Sequence, residues 1–128
     1  MADPAVQPAM QEGTFCHIEI PVGDLGKAKK FFGNLFGWTF QDVPMGDSTY
    51  VIYTTREGSV GGGMWQRTED SPKHPVNYIL VNDIKAYEKK IVDAGGKVVM
   101  QETEIPGFGS MLQFTDPDGN LLALWKPG

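Results

Sequence analysis

Apolar and polar positions alternate along the chain in a way that predicts the same order of elements twice. A strand ending at Val22 precedes Asp24 and a helix, and a strand ending at Val81 precedes Asp83 and a second helix, at an offset of 59 positions (81 − 22). Both Asp residues are typical helix N-caps. Apolar residues three or four apart predict one buried face on each helix. The predicted buried positions are Leu25, Ala28, Phe32 and Leu35, and Ile84, Tyr87, Ile91 and Ala94.

Each copy continues with three strands after its helix. Gly37 and the Gly95-Gly96 pair supply the glycines that helix C-termini favour. The strands that match are 50–54 with 111–115 and 60–64 with 121–125, at an offset of 61 positions (111 − 50). Turns join them at 56–58 and 116–119, and the second turn is Asp-Pro-Asp-Gly. Proline and glycine favour a hairpin turn there, so these carboxylates are predicted to form the turn rather than a catalytic pair.

The repeat predicts a single α+β domain made of two tandem βαβββ modules. Neither module could bury its sheet alone, so we expect the pair to share one core or a combined curved sheet. The predicted boundaries are a flexible tail at 1–13, a domain at 14–127, module one at about 14–66, a linker at about 67–75 that contains a solvated His74, and module two at about 76–127.

Composition and charge narrow the class of protein. The net charge of −5 and the scattered Lys and Arg residues argue against nucleic acid as a partner. No apolar run has the roughly 18 residues of a membrane span, and residues 1–12 lack the features of a secretory signal. The single cysteine, Cys16, lies in an apolar run. It is typical of a small core residue in a reducing cytoplasm, and we expect a cytoplasmic protein.

Three segments resemble the glyoxalase/bleomycin-resistance/dioxygenase group, or vicinal oxygen chelate superfamily. They are HIEIPVGDL at 17–25, FFGNLFGW at 31–38 and DPDGNLLALWKP at 116–127. The similarity covers about residues 14–127, and it extends to bacterial proteins described as predicted enzymes related to lactoylglutathione lyase. It implies a curved eight-stranded mixed sheet around a cleft, with both helices on the outer face.

The resemblance also implies four metal-ligand positions, one pair from each module. Carried onto this sequence, they are His17, Gly62, Val76 and Ala123. Only His17 has a donor side chain, whereas a divalent ion of this kind needs three or four N or O donors. We therefore expect no cofactor. A divalent metal held by His17, Glu19 and unexpected ligands is the alternative.

Strand alternation predicts which side chains line the cleft, and the helix-facing residues are predicted to be Val51, Tyr53, Leu112 and Phe114. The predicted ligand-pocket residues are His17, Glu19, Tyr50, Gly62, Met64, Tyr78, Phe108, Gln113 and Trp125. A mostly apolar hollow with few polar groups is typical of small-molecule sites. Gly61–Gly63 indicates either close ligand approach or tight strand packing. The loop at Phe108 is either a lid or an ordinary glycine-rich connection.

His17 and Glu19 are the candidate catalytic pair, although the pattern favours a structural or ligand-binding role for them. We therefore expect metal-free binding of a small, partly aromatic organic ligand. The alternative is a lyase- or dioxygenase-like enzyme that uses His17 and Glu19 on a small metabolite, with or without a divalent metal. The resemblance further implies a homodimer. Whether one chain or two form the cleft stays open, as does the identity of the ligand.

Overall fold

The structure, a computed structural model, describes residues 11–128. Residues 1–10 of the predicted tail at 1–13 therefore lie outside the described residues. Two compact units are present: residues 17–75, and residues 76–128 together with 11–16. The elements are β1 (Phe15–Val22), α1 (Leu25–Phe36), β2 (Thr39–Met45), β3 (Ser48–Thr54), β4 (Gly62–Gln66), β5 (Val76–Leu80), α2 (Ile84–Asp93), β6 (Lys97–Ile105), β7 (Gly109–Thr115) and β8 (Leu121–Pro127).

The element order is βαβββ twice, which confirms the predicted α+β class and its two tandem modules. The strand order is β2-β3-β4-β1 in the first unit and β5-β8-β7-β6 in the second. In each unit the first strand runs parallel to the last one, β1 to β4 and β5 to β8, while the remaining pairs are antiparallel. Both units are therefore mixed sheets of the same topology.

Both helices begin where the sequence predicts, and α1 also ends there, whereas α2 ends one residue before the predicted Ala94. The carboxylate of Asp24 accepts from the Lys27 amide at 2.9 Å, and that of Asp83 accepts from the Ala86 amide at 3.2 Å. Gly37 and Gly95 follow the helices with φ of 73° and 96°, a left-handed conformation that glycine adopts without steric cost. No helix among residues 11–128 has the length and apolar character that a membrane span needs.

The core of each unit lies between its helix and one face of its sheet. Val51 and Tyr53 belong to this core in the first unit, and Leu112 and Phe114 do so in the second, as predicted. The first core comprises Val22, Val51, Tyr53 and Met64, with Ile20, Leu25, Ala28, Phe32, Trp38 and Phe40 packed against it. The second core comprises Val81, Ile84, Leu112, Phe114 and Leu124, with Ile79, Tyr87, Ile91, Val98 and Leu122 packed against it.

Two predicted helix-face residues are exposed instead of buried. The Leu35 side chain is 60% exposed, because the Trp38 ring stacks between Phe32 and Tyr53, at 4.6 Å from each, and takes the place beside the sheet. Ala94 is also exposed, since α2 ends at Asp93 and Ala94 is its C-cap. The amphipathic stripe of each helix is thus one residue shorter than predicted.

The Asp-Pro-Asp-Gly segment forms a turn, as predicted. The Asp116 carboxylate accepts from the backbone amides of Asp118 and Asn120, each at 2.9 Å, and from the Asn120 side chain. Hydrogen bonds from Asn120 hold the pKa of Asp116 below its usual value. Gly119 closes the turn with φ of 88°. His74 is exposed in the predicted linker.

Candidate functional site

In the first unit, a buried polar group lies on the sheet face opposite the helix. His17 and Glu19 are two residues apart on β1, so they share a face of that strand. Tyr50 reaches them from β3, across the intervening strand β4. The exposed fractions are 7% for His17, 3% for Glu19 and 0% for Tyr50. The sheet thus brings together three of the predicted pocket residues away from solvent.

These side chains form a continuous hydrogen-bonded chain. The Tyr50 hydroxyl donates to Oε2 of Glu19 at 2.8 Å, and Nε2 of His17 lies 2.8 Å from the Tyr50 oxygen. A phenol has one proton, and Tyr50 gives it to the carboxylate. Nε2 of His17 must therefore donate to Tyr50, which places the imidazole proton on Nε2.

Burial sets the charge state of His17 in this hydrogen-bonded group of three side chains, which we call the His–Tyr–Glu relay. Desolvation lowers the pKa of His17 from 6.5 to about 4, so its imidazole is neutral at neutral pH. On the helix side, burial and the negative charge of Glu19 raise the pKa of Tyr53. The relay consists of a neutral imidazole, a neutral phenol and a carboxylate, and this combination can bind a polar ligand group or transfer a proton.

Gly63 makes room for the relay. It pairs with Glu19 in the β1–β4 register and with Ile52 in the β3–β4 register, so it lies beneath the line between Glu19 and Tyr50. A Cβ at Gly63 would overlap the Tyr50 hydroxyl. Next along β4, the Trp65 ring meets the Tyr50 ring edge-on, with centroids 4.6 Å apart. The glycine thus permits the close approach of the Tyr50 side chain, a contact that neither predicted interpretation of the glycine run included.

The second unit repeats this arrangement with different side chains. The Tyr78 hydroxyl donates to the Met111 sulfur at 3.1 Å, and Ala123 lies beside Tyr78 on the intervening strand β8. The Trp125 ring meets Tyr78 edge-on, with centroids 6.3 Å apart. Gln113, which pairs with Ala123, is 6% exposed. In each unit, a hydrogen bond crosses above a small residue of the last strand.

The structure corrects the predicted placement of Gly62 and Met64. Met64 packs in the helix-side core of the first unit. Gly62, two residues away, shares its face, and Tyr53 extends over that glycine to bond the Ile18 carbonyl at 2.7 Å. The residues on the relay face are Gly63 and Trp65.

The offset of 61 positions between the two copies does not hold for the last strand of each unit, and it misplaces β4 by one position. Val51 pairs with Met64, and its counterpart Leu112 pairs with Leu124, so the offset is 60 positions (124 − 64). Three consecutive glycines have no side-chain alternation from which a register could be read. The match of Trp65 with Trp125, at the same offset of 60 (125 − 65), was the available signal.

Phe108 lies half-buried in the loop before β7. Its amide donates to the Ile105 carbonyl at 3.0 Å, and its carbonyl accepts from the Gly128 amide at 2.9 Å. Phe108 is one of the residues that line a groove of about 240 Å³. Gly109 follows, and a Cβ at that position would lie 3.0 Å from Cζ2 of the Trp125 ring. The lid interpretation of this loop stays a prediction.

The residues at the implied metal positions do not fit a divalent ion. With the corrected register they are His17, Gly63, Val76 and Ala123, and three of these offer no donor atom. Nε2 of His17 carries the proton that it donates to Tyr50, so this nitrogen has no free lone pair for a metal. No three His, Cys, Asp or Glu side chains within residues 11–128 lie together in a way that could hold an ion.

Cys16 is a poor nucleophile. The residue is half-buried, and desolvation raises the pKa of its thiol from 9.0 to about 11. The thiolate, which is the reactive form, is therefore scarce at neutral pH.

Comparison with known families and proteins identifies similar sequences and folds. Residues 14–124 match the sequence profile of the Glyoxalase/Bleomycin resistance protein/Dioxygenase superfamily. The putative glyoxylase CFP32 of Mycobacterium tuberculosis is 33% identical over 122 residues, which cover 91% of this chain and 46% of CFP32. The anthracycline biosynthesis protein DauV of Streptomyces sp. (strain C5) is 30% identical over 121 residues, which cover 82% of this chain and 44% of DauV. The chain thus spans under half the length of these relatives.

A solved structure supports the fold. Methylmalonyl-CoA epimerase from Mycobacterium tuberculosis superposes with a TM-score of 0.73 at 17% identity, covering 94% of this chain and 92% of the epimerase. At that identity the likeness extends to the fold and not to the reaction.

Proposed function

This chain belongs to the Glyoxalase/Bleomycin resistance protein/Dioxygenase superfamily, and from that membership we propose that it binds a small, partly aromatic organic molecule without a catalytic metal. The observation that supports the metal-free part is the donor set. Of His17, Gly63, Val76 and Ala123, only His17 offers a ligand atom, and its Nε2 donates to Tyr50. Binding of this kind needs no bound ion.

The aromatic character of the ligand follows from the side chains on the sheet face opposite each helix. Rings and a few oriented polar groups are typical of small-molecule sites. The proposed ligand-contacting residues are His17, Glu19, Tyr50 and Trp65 in the first unit, and Tyr78, Phe108, Gln113 and Trp125 in the second. The similarity to DauV, a protein named for anthracycline biosynthesis, is consistent with an aromatic ligand.

The metal-free part is tested by elemental analysis of protein purified without chelator. We expect zinc, nickel, manganese and iron at well below one atom per chain. Stoichiometric metal that disappears in the variant His17→Ala would overturn this part of the proposal.

The ligand part is tested by a thermal-shift screen of metabolites and aromatic drugs. A ligand present at 100 times its Kd stabilises the folded state by roughly 2.7 kcal/mol, which is readily detected. Trp65→Ala and Trp125→Ala should lose the shift produced by a hit. Trp38→Phe, which changes a helix-side ring, is the matched control and should retain it. The proposal is contradicted if no compound in the screen raises the melting temperature. It is also contradicted if a hit raises the melting temperature of both tryptophan variants as much as that of wild type.

The relay favours a second candidate function, a lyase- or dioxygenase-like enzyme in which His17 and Glu19 act as acid and base, with or without a divalent metal. Lactoylglutathione lyase activity is the first to assay, because of the resemblance to enzymes related to that lyase and the similarity to a putative glyoxylase. An enzyme of this kind would lose turnover in His17→Gln and Glu19→Gln while it still bound its substrate. Equal loss of binding and turnover indicates ligand contact alone.

We also propose a homodimer in the cytoplasm. A single cysteine provides no disulfide within the chain, which suits a reducing compartment. Light scattering after size-exclusion chromatography should give twice the chain mass of 14.1 kDa. A monomer at micromolar concentration contradicts the dimer.

A further inference from the structure

We infer that Tyr50 fills the place between His17 and Glu19 that a metal ion would need. A metal-ligating side chain introduced at position 63 would therefore bind an ion only when the Tyr50 side chain is truncated. The inference shares the metal-free premise of the proposed function and adds to it the side chain that blocks the ion.

The distances show why the phenol and an ion exclude each other. The Tyr50 oxygen lies 2.8 Å from Nε2 of His17 and 2.8 Å from Oε2 of Glu19. An ion ligated by the same two atoms would lie about 2.0–2.2 Å from each of them. The ion and the uncharged hydroxyl would therefore claim the same space. The Tyr50 ring is fully buried and packed against Trp65, which limits its freedom to move aside.

Gly63 has no side chain that could supply a further metal ligand. Gly63 pairs with Glu19, so a donor at that position would point towards the same two ligands. A Cβ there would overlap the Tyr50 hydroxyl. Glycine at position 63 thus leaves free the volume that the Tyr50 hydroxyl occupies. A larger residue at position 63 would need that volume for its own side chain.

The second unit has a similar pairing of a hydrogen-bonded side-chain bridge with a small residue. Ala123 is fully buried beside Tyr78, whose hydroxyl bonds to the sulfur of Met111. A small residue on the last strand again lies beneath a bridge between the two flanking strands. The repetition indicates that bridge and small residue belong together.

The experiment measures Ni²⁺ binding by calorimetry in wild type, Gly63→His, Tyr50→Ala and the double variant. The double variant combines imidazoles at 17 and 63 with the Glu19 carboxylate, a donor set that first-row metals accept. We expect it to bind Ni²⁺ at least about tenfold tighter than Gly63→His does, which is about 1.4 kcal/mol. Gly63→His with Tyr53→Ala is the matched control, because Tyr53 lies on the helix side, and it should gain nothing.

The outcomes separate this inference from the proposed function. If Gly63→His alone binds Ni²⁺ as tightly as the double variant, Tyr50 does not block the ion, and the inference is wrong while metal-free ligand binding stands. If wild type holds stoichiometric metal, both are wrong.

A second measurement applies if the double variant does not fold. Nitrogen-15 NMR of His17 in wild type should show the proton on Nε2, and Tyr50→Phe should reduce that preference. A His17 spectrum that is unchanged in Tyr50→Phe overturns the inference, because the Tyr50 oxygen would then not contact Nε2.

Discussion

The Tyr50 hydroxyl donates to the Glu19 carboxylate at 2.8 Å across Gly63, a residue with no side chain to separate them. The bond joins two strands that are not neighbours, because β4 lies between β3 and β1. It fixes the orientation of Tyr50 and, through the same oxygen, the tautomer of His17. The contact therefore sets the tautomer of His17 and fills the space between His17 and Glu19 on this face of the sheet.

Replacing Tyr50 with Phe should lower the free energy of unfolding by about 2–3 kcal/mol. The change removes a hydrogen bond to a carboxylate, and bonds to charged groups contribute about 1.5–3 kcal/mol, together with the bond from His17. Urea denaturation measures the loss. Tyr53→Phe is the control, since it removes one bond to a neutral carbonyl and should cost about 1 kcal/mol. Equal losses in both variants contradict a special contribution from the relay.

Much of the fold could be predicted from the sequence because the repeat and the caps are local signals. Asp24 and Asp83 cap helices as their spacing indicates, and the alternation around Val51 and Leu112 assigns the helix-facing side correctly. The alignment failed at Gly61–Gly63, where glycine gives no alternation. Physical register in that strand is set by backbone pairing with its neighbours, which sequence alone does not display.

The candidate site could be predicted only in part. Sequence placed His17, Glu19 and Tyr50 on one face but gave no reason to expect a bond between them. That bond depends on the order of strands and on a glycine in the strand between. Trp65 was missed because its face assignment inherited the one-position error.

Stability should fall on acidification because His17 is buried in its neutral form. Its pKa is about 4 in the folded chain against an ordinary 6.5, so between these values the unfolded chain binds a proton that the folded chain does not. The contribution is therefore complete above pH 6.5 and is lost as the pH falls towards 4, by about 3 kcal/mol.

Urea denaturation at several pH values tests this dependence. The difference in stability between wild type and His17→Gln should shrink through the window from pH 6.5 to 4, because only wild type contains the buried imidazole. His74→Gln changes an exposed residue and should run parallel to wild type. A constant difference between wild type and His17→Gln would show that His17 is not held neutral by burial.

Cys16 should resist alkylation in the folded protein. A pKa raised from 9.0 to about 11 reduces the thiolate fraction at neutral pH about a hundredfold, and the rate of reaction with iodoacetamide should fall in proportion. The rate in folded protein should still rise steeply above about pH 10, whereas the rate in urea-unfolded protein is close to its plateau at that pH. Mass spectrometry over time measures both rates. Labelling of folded and unfolded chains at the same rate would contradict the burial of this thiol.

Gly63→Ala should destabilise the protein although it adds only one methyl group. The new Cβ overlaps the Tyr50 hydroxyl, so Tyr50 must shift away from His17 and Glu19, and overpacking of this kind costs about 1–3 kcal/mol. Gly33→Ala is the matched control: it lies inside α1 in ordinary contact with its neighbours, and alanine there should stabilise the helix by about 0.5–1 kcal/mol. Opposite signs for the two glycines, measured by urea denaturation, are the expected result. A neutral or stabilising Gly63→Ala would mean that the Tyr50 hydroxyl does not lie above the glycine.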